Sequence, residues 1–172
     1  MGLGVGDKIP NVRIKIVEEE ETKVCSTTEL FAGKRVVLFA VPGAYTPTCS
    51  ALHIPGYVAQ ASAIAAAGVA EIYCLSVNDA FVMAAWGKNQ SCIPAIKLIA
   101  DGNCEFSEAL GMAVELSELG YGRRSKRYSM HVDDGMITAM FEEGHPLNGD
   151  PFEVSDAKTM LNHLEASIVP KP

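Results

Sequence analysis

No apolar run in this chain reaches the roughly 20 residues that a membrane-spanning helix needs, which argues against a bilayer protein. No CxxC pair is present, and no cluster of cysteine and histidine has zinc-ligand spacing. The usual dithiol redox motif is therefore excluded, and no structural metal is expected. Basic residues are in short supply, 14 Lys and Arg against 21 Asp and Glu, for a net charge of −7. A sequence-independent nucleic-acid binder or a protein that adheres to anionic membranes needs the opposite balance, so neither partner is expected. The N-terminal MGLGVGDKIP lacks the basic and apolar regions of a secretory signal, and Gly6 stands where a myristoylation signal requires Ser or Thr. Five cysteines, an odd number, read as reduced thiols in a cytosol-like compartment. The cytoplasm is the expected location, with an organelle reached after transit-peptide removal left open.

What is present is enough for a packed domain. With 48% hydrophobic and 20% charged residues, the 172-residue chain has the composition of one globular domain rather than of a disordered segment. VRIKIV at 12–17 alternates as a half-buried strand does, and EEEET at 18–22 reads as a charged turn. Ser26 is placed to cap a short turn through Phe31. KRVVLFAV at 34–41 and EIYCLSV at 71–77 are continuous apolar runs, suited to strands covered on both faces. Between them lies a helix that should bend near Pro55-Gly56, resume at Tyr57 and end at Ala67, with Gly68 beyond it. Asn78 is expected to cap a helix over DAFVMAAWGK, AIKLIA at 95–100 to form a strand, and residues 105–111 to make one or two helical turns. YSMHV and MITAMF flank DDG as a hairpin, and Ser155 is expected to open a last helix with Ala157, Met160, Leu161 and Leu164 on one face. A βαβ unit followed by a hairpin and a helix predicts an α/β fold of thioredoxin-like type, a central mixed β-sheet flanked by helices. It matches that arrangement better than a doubly wound sheet, whose C-terminal half would keep alternating.

The chemistry gathers at PGAYTPTCS, residues 42–50. Thiolate, not thiol, is the reactive form of cysteine, and it is favoured at a helix N-terminus, where free N–H groups point at the sulfur. Cys49 has that position if helix begins near Thr48. Thr46, three residues earlier, can bring its hydroxyl to the sulfur or to a bound oxygen, and Pro42 and Pro47 stiffen the turn. In KRYSMHV, alternation sets Tyr128, Met130 and Val132 on one face and Arg127, Ser129 and His131 on the other. A cysteine after a strand is by default a small buried hydrophobe, and Thr46 and the two prolines set Cys49 apart from that default.

The spacing Pro42-xxx-Thr46-xx-Cys49 resembles the PxxxTxxC signature of the peroxiredoxins. PGAYTPTCSALHIPGY is similar to the type II, atypical subfamily, as are YCLSVNDAFVMAAWGK (73–88), RRSKRYSMHVDDG (123–135) and DPFEVSDAKTML (150–161). The resemblance covers nearly the whole chain and implies a single thioredoxin-like peroxiredoxin domain over residues 1–172, acting without a bound cofactor. It implies a thiol peroxidase that reduces hydrogen peroxide and alkyl hydroperoxides, in which Cys49 attacks the O–O bond and becomes a sulfenic acid. Thr46 would orient the peroxide, Pro42 would shield the sulfur, and the N–H groups of Thr48 and Cys49 would stabilise developing charge. The distant arginine the family requires matches Arg127, in competition with Arg123 and Arg124, which are expected in a loop. His53 matches a subfamily histidine, for binding or proton transfer on one reading and for packing on the other. Cys74 matches a resolving cysteine of plant-like members, but its place inside an apolar strand reads first as core. No cysteine lies at 142–154, and Cys25, Cys92 and Cys104 match no role. The resemblance further implies an external reductant (thioredoxin, glutaredoxin or glutathione) and a homodimer with Tyr45 and Trp86 near its contact, although a lone Trp is more often core. A general thiol–disulfide oxidoreductase and a redox sensor or holdase share the same cysteine. The first is disfavoured by the missing CxxC, and the second would lack fast turnover with an external thiol.

Overall fold

A seven-stranded sheet carries the molecule. The structure, a computed structural model, describes residues 2–168. In chain order it contains β1 (Arg13–Glu18), β2 (Glu21–Ser26), α1 (Thr27–Phe31), β3 (Arg35–Ala40), α2 (Ile54–Ala66), β4 (Glu71–Ser76), α3 (Ala80–Asn89), β5 (Lys97–Ala100), α4 (Glu105–Ala109), β6 (Ala113–Glu115), β7 (Arg123–Ser125), β8 (Tyr128–Asp133), β9 (Met136–Glu142) and α5 (Ala157–Ile168). The sheet order is β2-β1-β5-β4-β3-β8-β9, with β3, β4 and β5 parallel and the flanking pairs antiparallel. This is the thioredoxin-like mixed sheet expected from the element order.

The apolar run of β3 is explained by two covered faces. Val37 and Phe39 pack with Cys74, Ile64, Trp86 and Met160 on the side of α2, α3 and α5. Val36 and Leu38 pack with Phe31, Leu75, Phe106 and Met130 on the side of α1 and α4. Each inward side chain of this size removed from water contributes about 1.5–3 kcal/mol, which fixes β3 and therefore the position of the loop that leaves its C-terminal end.

Several local expectations are corrected. The charged segment 18–22 is not all turn. Glu19, at φ +49°, and Glu20 make the corner, and Glu21 already belongs to β2. That strand is an exposed sheet edge, so it lacks the apolar alternation that would reveal it. Lys23 of β2, Glu18 of β1, Lys97 of β5 and Glu71 of β4 form an ion-paired row across four neighbouring strands, with N–O distances of 3.1, 3.2 and 2.7 Å. Arg123 and Arg124 lie in β7, paired antiparallel with β6, rather than in a loop.

The helix after Cys49 does not break at Pro55-Gly56. Helical geometry begins at Pro47, and residues Cys49–His53 form a π-helical turn that runs directly into α2. Ile54 N–H donates five residues back to Cys49 O, just before a proline with no N–H to give. Asp79, not Asn78, caps α3 by accepting from Val82 N–H at 2.9 Å. Asn78 Oδ1 instead accepts from Ala44 N–H at 3.0 Å and from Ser76 Oγ, tying the end of β4 to the loop before Cys49. Asp156 accepts from Thr159 N–H at 3.0 Å at the start of α5, while Ser155 turns inward. The hairpin turns through Asp134 and Gly135, at φ +46° and +76°, the left-handed pair that a two-residue turn with native twist demands.

Candidate active site

Cys49 is fully buried within the first turn of the helix that begins at Pro47. The first N–H groups of a helix have no carbonyl partner within it, so Thr48 and Cys49 present partial positive charge toward the sulfur. The approach loop is tight. A Cβ on Gly43 would lie 2.7 Å from Arg124 Nη1 and 2.9 Å from Thr46 Cγ2, which is why glycine stands there. Thr46 Oγ1 lies 2.7 Å from Gly43 O and 2.8 Å from Cys49 Sγ. A hydroxyl carries one proton. It donates to the carbonyl when sulfur is a thiol and can swing to the sulfur when sulfur is a thiolate.

Arg127 enters from the opposite direction, immediately before β8, and is 1% exposed. Its backbone carbonyl accepts from Glu143 N–H at 3.0 Å, which seats it at the base of the β8–β9 pair. Nη2 donates to Cys49 Sγ at 3.2 Å, and Nη1 donates to His53 Nδ1 at 3.1 Å. His53 Nε2–H in turn donates to Ser155 O at 3.1 Å, which also accepts from Tyr57 OH at 3.0 Å. Burial first, and Arg127 second, push the His53 imidazole down to about 3, so the ring is neutral at physiological pH and serves as an acceptor for the arginine.

Two carboxylates complete the arrangement. Asp150, at φ +49°, places both oxygens 3.0 Å from Arg127 Nη2. Three acceptors thus compete for the two protons of one nitrogen. Glu143 is buried, and one of its oxygens accepts from the N–H groups of Glu153, Val154 and Ser155 and from Ser155 Oγ, all within 2.7–2.9 Å. It thereby fixes the carbonyl on which His53 rests. Above the thiol, a cleft of about 250 Å³ is lined by Pro42, Thr46, Pro47 and Thr48 on one side. Leu116, Leu119, Tyr121, Pro146 and Asp150 line the other.

The redoxin family model matches residues 4–161. A peroxiredoxin of Synechocystis sp. is 53% identical over 148 residues, covering 84% of this chain and 78% of that protein. Peroxiredoxin-2B of Arabidopsis thaliana is 41% identical over 163 residues, covering 94% and 98%. The crystal structure of reduced Prx3 from Vibrio vulnificus in complex with hydrogen peroxide superposes with a TM-score of 0.87 at 44% identity, covering 94% of this chain and 99% of that one.

The chain belongs to the peroxiredoxins. It is a thiol-dependent peroxidase. Of the candidate residues in this peroxiredoxin, the fold brings Cys49, Thr46, Arg127 and His53 into direct contact and sets Pro42 and Thr48 along the cleft. Arg123 is exposed and ion-paired with Glu108. Arg124 donates to Tyr121 O at 3.0 Å and Pro42 O at 3.3 Å, bracing the loop rather than the sulfur.

The remaining thiols are held away from reactivity. All five cysteines are free. Cys74 is fully buried in β4, opposite Phe39 of β3, and burial pushes its thiol well up. Burial also pushes Cys92 and Cys104 up to about 11 and raises Cys25. Trp86 is core, donating to Ser50 Oγ at 2.9 Å, whereas Tyr45 is 53% exposed at φ +64°. Among the described residues no cluster of three or more ligating side chains could hold a metal, and no helix is long and apolar enough to cross a membrane. Three larger clefts, of about 350, 550 and 750 Å³, contain none of the residues around Cys49.

Sequence reasoning missed Asp150 and Glu143. Asp150 stands first in a block that matched the family, DPFEVSDAKTML, but nothing in its spacing points to a residue 23 positions earlier. Glu143 gives no local signal either, because its partners lie 10 to 12 residues on in an irregular segment.

Proposed function

We propose that Cys49 is the peroxidatic thiol and that this protein reduces hydrogen peroxide and alkyl hydroperoxides through a Cys49 sulfenic acid. The supporting observation is the placement of Cys49 Sγ, 2.8 Å from Thr46 Oγ1 and 3.2 Å from Arg127 Nη2, in the first turn of a helix. The thiolate attacks the terminal oxygen of ROOH. An S–O bond forms, the O–O bond breaks, and RO⁻ leaves and takes a proton to become ROH. Arg127 and the N–H groups of Thr48 and Cys49 stabilise charge moving onto the peroxide oxygens. Thr46 orients the peroxide, and Pro42 limits water at the sulfur. His53, neutral, holds the guanidinium and is not the proton donor.

The sulfenic acid is recycled by an external thiol. The first thiol forms a mixed disulfide with Cys49 and releases water, and a second thiol releases Cys49. Thioredoxin, glutaredoxin and glutathione are the candidate donors. Cys74 is an unfavoured resolving thiol, because it sits inside the β3–β4–β5 ladder. Residues 1–172 act as one thioredoxin-like peroxiredoxin domain, working as a homodimer in the cytoplasm. The seven-stranded sheet, exposed Tyr45 and the five free thiols support these readings.

The test is single-turnover peroxide consumption by wild type and Cys49→Ser, followed by steady-state turnover with each donor. Wild type should consume about one equivalent of peroxide rapidly and the variant none. Fast consumption by the variant overturns the assignment, and absence of turnover with every donor favours a sensor over an enzyme cycle.

A further inference from the structure

We propose that Asp150 is a specificity-determining residue that makes the site select uncharged hydroperoxides and disfavour anionic ones. The inference rests on the reading of Cys49 as the attacking thiol. It is carried by the position of Asp150, which lies at two boundaries at once. Both carboxylate oxygens touch Arg127 Nη2 at 3.0 Å, and the same side chain lines the cleft that leads to Thr46. Its side chain is 34% exposed, so its charge faces what enters as well as the guanidinium.

The charge balance follows from named groups. When Cys49 is a thiolate, Arg127 is a single positive charge shared by two anions, Cys49 and Asp150. His53 is neutral and cannot compensate, since burial and Arg127 itself hold it unprotonated. A peroxide that carries its own negative charge therefore meets an excess of negative charge at the arginine. Arg124 flanks the loop but is committed to Tyr121 O, Pro42 O and the Tyr121 ring, whose centroid lies 5.5 Å from its Cζ. An uncharged hydroperoxide avoids the repulsion, and its organic part faces Leu116, Leu119, Tyr121 and Pro146. The oxidised product is the same in either case. The Cys49 thiolate gains OH from the peroxide, the O–O bond breaks, and the leaving group departs as RO⁻ or, from peroxymonosulfate, as sulfate.

The local backbone allows a clean test. At φ +49°, asparagine and glycine are the residues best tolerated in place of aspartate, so Asp150→Asn and Asp150→Gly both remove the charge without forcing the turn. Asp150→Glu retains it. Single-turnover rate constants are measured for tert-butyl hydroperoxide, which is uncharged, and peroxymonosulfate, an anion, and the ratio of the two is compared across the proteins. Removing a partly solvated unit charge near the reacting centre should raise the anionic-to-neutral ratio about three- to tenfold in Asp150→Asn and Asp150→Gly. Asp150→Glu should stay near the wild-type ratio. A purely structural role for Asp150 would slow both peroxides by one factor and leave the ratio where it was, and that result overturns the proposal. Failure of wild type to consume either peroxide would instead overturn the reading of Cys49, so the two failures are distinguishable.

Discussion

At the scale of single residues, the site works by sharing hydrogen-bond donors. Arg127 holds sulfur, imidazole and carboxylate at once. Lysine would keep the charge and lose the fork that reaches all three. Arg127→Lys should therefore fold, yet reduce peroxide about 10- to 100-fold more slowly in single turnover. An unchanged rate would transfer the role to Arg124. His53 gives a pH prediction. Its native value of about 3 lies below its ordinary 6.5, so between these values the unfolded chain binds the extra proton. Stability therefore falls as pH falls from 6.5, by up to ~1.4 kcal/mol per pH unit from this group. Urea denaturation from pH 6.5 to pH 5 should show a slope of that sign, and His53→Asn should reduce it, the remainder coming from His131, which burial holds down to about 4. An equal slope in both proteins would show that His53 is not buried neutral. Cys49, Thr46 and Arg127 were legible because the first two share one turn and the third abuts a readable strand. Asp150 was not, because its contact with Arg127 is set by the path of an irregular segment, and no periodicity encodes such a path.

At the scale of elements, the sheet strands with apolar runs could be read and the polar ones could not. β3, β4 and the β8–β9 hairpin announce themselves, whereas β2 is an exposed edge and β7 is RRS. Propensity likewise marks the breaker Pro55 but not that its missing N–H is accommodated by a π-turn on the N-terminal side. The loop before α5 depends on Glu143. Glu143→Gln replaces a charged acceptor of four hydrogen bonds with a neutral one, and should cost about 1–3 kcal/mol. Hydrogen exchange at Val154 and Ser155 should accelerate more than in β3. Uniform acceleration, or none, would show that the carboxylate is not what orders this segment. The ladder of β4 bears on recycling by keeping Cys74 in place. Reaching Cys49 from Cys74 would break ladder bonds, so Cys74→Ser should retain turnover with at least one external thiol. Peptide mapping that finds a quantitative 49–74 disulfide, with turnover by every donor lost in Cys74→Ser, would refute this.

At the scale of the whole molecule, the mixed sheet was legible from the order of elements, but association was not, because no periodicity in one chain encodes the surface of another. The protein should sediment as a dimer at micromolar concentration, and Tyr45→Arg, placing a charge on an exposed aromatic position, should shift it toward monomer. A wild-type monomer, or a variant dimer of equal strength, would place the contact elsewhere or nowhere. The row Lys23–Glu18–Lys97–Glu71 has a different importance from its small contribution to stability, since exposed pairs are each worth only about 0.2–1 kcal/mol. Read across the sheet, the row is a four-letter parity check, plus, minus, plus, minus. Sliding β1 or β5 out of alignment leaves its charge without the answering sign on both sides, and sliding β2 or β4 leaves an end of the row without its one partner. The pattern thus detects a misthreaded sheet, including at the outer edge where β2 has few apolar side chains to report the error.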